Sequence, residues 1–438
     1  MKKRQASTTV RWLIYRTDAT RLPHRVVSDQ VVLTDVDTGW GERIREELET
    51  PPPAETDPVP SGRIVEVTLR TAGENLVEIQ CSGMPPTVVR PAEVIDKVLG
   101  WITGSQLAVG GGAFALHAGA VTTDEGHAII VVGPTKAGKS TLIAHLVHRG
   151  YRLMTDEQLH VLGDGRTVTA ITRPISLRHD GRRHSPIAGV PSNDLVGYRA
   201  AATELGGDHQ VTGRAALVAV LRRDADSQPG WRSVAVAEAL RLFGENSLDL
   251  KARPTSGLRA MTRLATGAPC IELRYGDATD AADILERLLK DPPAVSQTPV
   301  ELLEPIEGNR PGKIGWNRDT LTVLVGQRAI VYHRGHGALV ELNEAATRTW
   351  VSLRIARHAR MSEMRALDVL EAARLIEDWG DWRWSFHSRF ANRRRRIVQT
   401  LAVLAQVSAK AVHVSDWFKS GNIDARPEGL DTERSEDG

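Results

Sequence analysis

Residues 129–159, "IIVVGPTKAGKSTLIAHLVHRGYRLMTDEQL", decide how this chain is read. The middle of the stretch, Gly133-Pro-Thr-Lys-Ala-Gly138-Lys139-Ser140, satisfies G-x-x-x-x-G-K-[ST]. Each part of that pattern answers to phosphate chemistry. The apolar run 128–132 reads as a strand that delivers the chain to a tight turn. Glycines let backbone N–H groups face anionic oxygens, and a helix predicted to start near Lys139 adds its positive dipole end. Lys139 then reaches the β- and γ-phosphates, and the Ser140 hydroxyl is placed to ligate Mg²⁺. On this reading ATP and Mg²⁺ are the cofactors. The nucleotide is held by Gly133, Pro134, Thr135, Lys136, Ala137, Gly138, Lys139, Ser140 and Thr141.

The next strand narrows the use of the loop. "YRLMTDE" ends in the pair Asp156-Glu157, one helix after Lys139. Strand ends and helix starts converge at the carboxyl edge of an open α/β sheet, so the pair is expected beside the loop. Adjacent residues point oppositely along a strand, but at its mouth both acids can turn inward. One then suits a metal and the other accepts a proton from an attacking hydroxyl. A solvated acidic turn is the alternative. The chain has no L-S-G-G-Q stretch, no N-K-x-D after a strand, and no apolar run ending in D-E at the distance usual for motor ATPases. Transporter, GTPase and motor uses are therefore unsupported.

Bulk properties agree with an ordinary globular protein. At 438 residues the chain has room for two or three domains. Lys and Arg (56) nearly balance Asp and Glu (54), so charge gives no argument for nucleic acid. The two cysteines, Cys81 and Cys270, lie far apart without metal-ligand spacing. A single bridge is compatible with this, but a reduced cytoplasmic chain is the plainer reading. No apolar run approaches ~20 residues, so no membrane span is expected.

The expected class is α/β (α+β overall). Residues 1–95 read as a β-rich region, broken by the loop-like "ETPPPAETDPVPSG". Residues 96–292 alternate strands and helices. The proline-rich 293–312 reads as a linker, 313–385 as strands followed by helices, and 386–438 as a basic helix with a disordered tail.

Together, "LHAGAV", "VVGPTKAGKST" and "GYRLMTDEQL" resemble the catalytic domain of HPr kinase/phosphorylase and the related HPr-kinase-like serine kinases. Those share a phosphoenolpyruvate-carboxykinase-like P-loop fold. The resemblance implies a catalytic set of His117, Asp156 and Lys139, with Asp156 as general base towards a serine hydroxyl. It implies metal roles for Ser140, Asp156 and Glu157, although the HPr enzymes carry a second Asp where Glu157 stands. "TRPISLRHD" is similar to a Pro-Ile/Leu-Ser-Leu-Lys stretch of these proteins, with Arg178 at the lysine position. His145 and His148, on the loop helix, read as packing or surface residues. The glycine-rich E-x-R-G-x-G signature does not occur, so the resemblance does not extend to HPr as acceptor or to the reverse reaction.

Further on, "GQRAIVYHRGHGALVELNEAATRTWVSL" resembles the front of a PqqD-like domain, a winged-helix-like module that binds leader peptides. Leu342, Asn343, Ala345, Ala346 and Trp350 carry that resemblance, and the sequence from Arg357 departs from it. It implies a peptide or protein acceptor bearing a serine hydroxyl, such as a ribosomal precursor peptide. A small accessory domain of hairpin and helix is the alternative. Arg393, Arg394, Arg395 and Arg396, with Arg389 nearby, read as a solvated helix start rather than a nucleic-acid contact. The chain is compatible with a homo-oligomer. Two functions stay open: an ATP- and Mg-dependent kinase, or a non-catalytic nucleotide-binding module that recognises a leader peptide or partner protein.

Overall fold

The computed structural model describes residues 7–18, 25–49, 59–81, 85–107, 112–178, 197–224, 226–304, 314–317, 319–335, 337–354 and 376–378. The fold is mixed α/β, with separate sheets for the N-terminal, central and C-terminal parts. The expectations for Arg389, for the four arginines from Arg393, for the tail, and for a winged helix beyond Arg357 lie outside the described residues. The Arg178 side chain does too.

The first sheet has five strands in sequential order: Thr8–Asp18, Arg25–Asp35, Val59–Gly73, Leu76–Cys81 and Thr87–Val89. Alternate residues of these strands (Val31, Leu33, Val67, Leu69, Ile79) turn inward onto the helices Gly41–Leu48 and Val94–Leu107. The second of these helices contributes Val94, Ile95, Val98, Leu99 and Ile102, the helical spacing read from the sequence. By packing it therefore belongs to the N-terminal body. The proline-rich stretch expected as a loop enters the sheet at its end, because the third strand already begins at Val59. Pro60 pairs with Ser28 of the second strand, and the Leu76–Cys81 strand pairs with the third only from Val67 onward.

The central sheet has eight strands. His127–Val132, Thr212–Arg223 and Cys270–Tyr275 run parallel at its centre, and Phe114–Thr122 lies antiparallel beside the first of them. Gln158–Val161 and Thr167–Thr169 extend it, and the last also pairs with Thr212–Arg214, so the pairings close into a ring. Gly230–Ser233 forms the far edge. The first two of these parallel strands are apolar on both faces along their middle, as burial between helices requires. Lys139–His148 and Ala278–Lys290 cover one face. Val236–Glu245 and Pro254–Gly267 pack on the other. Asp277 caps its helix by accepting from Thr279 N at 2.7 Å, as an N-terminal Asp should.

The C-terminal sheet is an antiparallel meander of Val300–Leu303, Thr320–Val325, Arg328–His333 and Ala338–Leu342. Its first strand falls inside the stretch expected as a linker. One face (Leu321, Val323, Val325, Ile330, Tyr332) joins the core of the central body. The other packs Trp316 and Trp350, stacked at 4.6 Å with 8° between planes. Asn343 caps the helix Glu344–Ser352 through Ala346 N at 2.9 Å. Trp350 Nε1 donates to the buried Thr322 Oγ1 at 2.9 Å. Trp350→Phe keeps the stack and removes that donor. We expect it to cost about 1–3 kcal/mol in urea unfolding.

Cys81 and Cys270 are both buried and unbridged, and burial pushes the Cys270 thiol up to about 12. Among the described residues no helix is long and apolar enough to cross a membrane. Two interior histidines make the fold sensitive to acid. Burial holds His160 and His209 down to about 4. Between that value and the ordinary 6.5 the unfolded chain binds more protons than the folded one. Stability is therefore full above about pH 6.5 and falls as the pH drops towards 4. Urea midpoints across that window should fall less steeply in His209→Phe.

Candidate active site

One strand brings the distant pieces together. Phe114–Thr122 sets Ala118 opposite Val132 on one side and Ala120 opposite Thr155 on the other. Val132 immediately precedes the glycine loop and Thr155 immediately precedes the acidic pair, so loop and pair leave the same edge side by side. His117 is next along that strand, opposite Gln158, and Ala118 N donates to Glu157 O at 3.1 Å. The helix Lys139–His148 lies close over the strand because residue 119 is glycine. A Cβ there would sit 2.7 Å from Ile143 Cγ1.

The loop holds its shape by local bonds and two left-handed residues. Lys136 has φ +70° and Gly138 φ +92°, the alternation that lines an anion-sized concavity with backbone N–H groups. A side chain on Gly138 would also meet Tyr275 Oη at 2.6 Å, and that hydroxyl donates to Ala137 O at 2.5 Å. Pro134, Thr135 and Lys136 are exposed, while Lys139 is buried. Its Nζ donates to Gly133 O at 2.8 Å and to Pro134 O at 3.4 Å, which keeps the ammonium over the turn.

Asp156 is 4% exposed. Its Oδ2 accepts from Ser140 Oγ at 3.2 Å and from Ser176 N at 2.9 Å. Its Oδ1 is buried, has no hydrogen-bond donor among the described residues, and lies 3.4 Å from Arg173 Nε. Glu157 is partly exposed, with Oε2 on Arg173 Nη2 at 3.3 Å and Oε1 4.0 Å from His117 Nδ1. Burial pushes the Asp156 carboxyl above the usual aspartate range, against the pull of Arg173. Burial, then Lys139, holds the His117 imidazole below its ordinary value, against the neighbouring Glu157. The ring is therefore neutral at neutral pH and can both donate and accept a hydrogen bond.

Ser140 Oγ and the Asp156 carboxylate are hard oxygen donors in mutual contact, and Asp156 Oδ1 has acceptor capacity to spare. That set fits magnesium, which takes one or two protein oxygens and completes its shell with phosphate and water. No group of three or more His, Cys, Asp or Glu side chains among the described residues forms a dedicated cage.

His117, Lys139, Ser140, Asp156 and Glu157 thus lie around one loop. Arg173, whose guanidinium contacts both acids, had no role in the sequence analysis. Its signal was a lone charge inside the apolar run "AITRPISL", which has to be paired when buried. Ser176 and Tyr275 were also missed. Nothing in their local sequence marks them, since one acts through its backbone amide and the other ends an ordinary strand.

No protein-family model matches this chain, and no curated protein is similar to it in sequence. Among solved structures it is similar to the Hpr(Ser) kinase/phosphatase of Coxiella burnetii. Identity is 12%, the match covers 40% of this chain and 98% of that one, and the TM-score is 0.23.

Proposed function

We propose that the protein is an ATP- and Mg²⁺-dependent kinase that transfers the γ-phosphate to a serine-type hydroxyl of a peptide or protein. One observation carries this reading: a buried carboxylate, Asp156, in hydrogen-bond contact with the serine that follows the loop lysine. A module that only binds nucleotide needs no such base.

In this reading the phosphates lie along residues 133–141. Asp156 takes the proton of the incoming hydroxyl, whose oxygen attacks the γ-phosphorus. The bond from that phosphorus to the β,γ-bridging oxygen breaks, and ADP leaves. Lys139 and the loop amides stabilise the charge spreading over the transferred group. Neutral His117 hydrogen-bonds a γ-phosphate oxygen. Magnesium held by Ser140 and Asp156, with Glu157 beside them, would screen the β- and γ-oxygens. A peptide acceptor is favoured because "ELNEAATRTW" follows a PqqD-like pattern and the sheet before it shares its core with the nucleotide body. Mass spectrometry of serine-bearing precursor peptides incubated with the protein and MgATP tests this. Gain of one phosphoryl group on serine is expected. ATP binding without transfer to any peptide would leave the non-catalytic reading.

A further inference from the structure

The first hundred residues carry no motif, yet their sheet reaches the acidic pair through one residue. Thr172 N donates to Tyr15 O at 3.0 Å, and Tyr15 N donates to Thr172 Oγ1 at 3.1 Å. Arg16 and Ile171 form an isolated bridge next to them. The first strand is itself anchored by the buried pair Arg16–Asp29 at 2.6 Å. The residue after Thr172 is Arg173, 5% exposed, whose guanidinium spans both Asp156 and Glu157.

The flanking chain leaves Arg173 little freedom. Pro174 restricts it to extended backbone. Ser176 N, on the strand Ile175–Arg178, is bonded to Asp156 Oδ2. The partner strand Gly197–Ala200 carries Arg199, which pairs with Glu47 at 2.8 Å and with Asp96, tying the hairpin to both helices of the N-terminal body. A planar fork on two carboxylates fixes their separation and direction, which a flexible ammonium would not.

We infer that Arg173 is a positioning residue for Asp156 and Glu157, and that the N-terminal sheet holds it there through the Tyr15–Thr172 bonds. The candidate active site is then incomplete without residues 8–35. A buried ion pair adds little net stability compared with an apolar replacement, so its consequence is sought in geometry. The inference rests on the kinase reading for the role of the acids. Its structural content is independent of turnover.

The test uses the full-length protein and three variants: Arg173→Met, Arg173→Lys and Thr172→Val. Thr172→Val keeps the side-chain shape and removes the Oγ1 acceptor one residue away from Arg173. Phosphoryl transfer from MgATP should show kcat lowered about 10- to 100-fold in Arg173→Met, the scale of an ångström of misplacement. Arg173→Lys should recover part of it, and Thr172→Val should lose several-fold. ATP affinity by calorimetry should stay within about threefold throughout, whereas a merely structural role would lower affinity and rate together. In parallel, hydrogen exchange at the Ser176 amide should quicken in Thr172→Val and Arg173→Met, while that of His127–Val132 stays slow. Unchanged exchange at Ser176 in both variants overturns the inference. So does an unchanged kcat in a folded Arg173→Met protein. If the wild type transfers no phosphate at all, the kinase reading falls, and the exchange arm still decides the positioning claim.

Discussion

Asp156→Asn should lower phosphoryl transfer by about 10²- to 10⁴-fold, the usual contribution of a positioned general base, with ATP still bound. Asparagine matches the shape of the buried aspartate and keeps an oxygen for Ser140 Oγ and Ser176 N, the two donors at Oδ2. It cannot take a proton. Burial already favours proton uptake by Asp156, which brings a carboxylate closer to the task of a base at neutral pH. Single-turnover transfer from labelled ATP, with calorimetry on the same preparation, separates chemistry from binding. Turnover within a few-fold of wild type in a folded Asn variant would remove Asp156 from that role.

Lys139→Met should act on the other half of the site and weaken ATP binding roughly 10²- to 10⁴-fold. The side-chain length is kept while the ammonium is lost. That removes about two charge-assisted hydrogen bonds to phosphate, at about 1.5–3 kcal/mol each, and every 1.4 kcal/mol is tenfold in affinity. Methionine is accommodated because the Lys139 stem is already buried. Urea unfolding should change less than binding, since the carbonyls of Gly133 and Pro134 that the ammonium bonds lie in the loop next to it. Calorimetric titration with MgATP reads the affinity. A Met variant that binds ATP as tightly as wild type would show that this loop does not grip the triphosphate.

The two variants address residues whose placement was legible to different degrees. Lys139 and Ser140 belong to a contiguous motif whose backbone course is local, set by Gly138 at φ +92° and by the helix that starts at Lys139. The placement of Asp156 was legible because a short helix between strands leaves few places for the next strand to end, whereas His117 was named through the family resemblance. Glu157, read as a metal ligand, has its oxygens at Arg173 and near His117, contacts that its local sequence does not mark. In the C-terminal part the hairpin, the Asn343 cap and the Trp350 helix follow the local pattern. The strand Val300–Leu303 was hidden among prolines because its pairing with Thr320–Val325 spans a separate stretch of chain.

From the order of its residues alone this chain specifies a glycine turn between strand and helix, two acids at the next strand mouth, and the helices whose apolar positions recur every three or four residues. All of these are properties of neighbours along the chain, where steric limits and side-chain periodicity act directly. The fold alone decides that Arg173 spans the acids, that Tyr275 braces Ala137 from 138 positions away, and that the first sheet touches residues 171 and 172. Such contacts depend on strand order and register, which sum many weak pairings across the molecule and leave no mark at any single position.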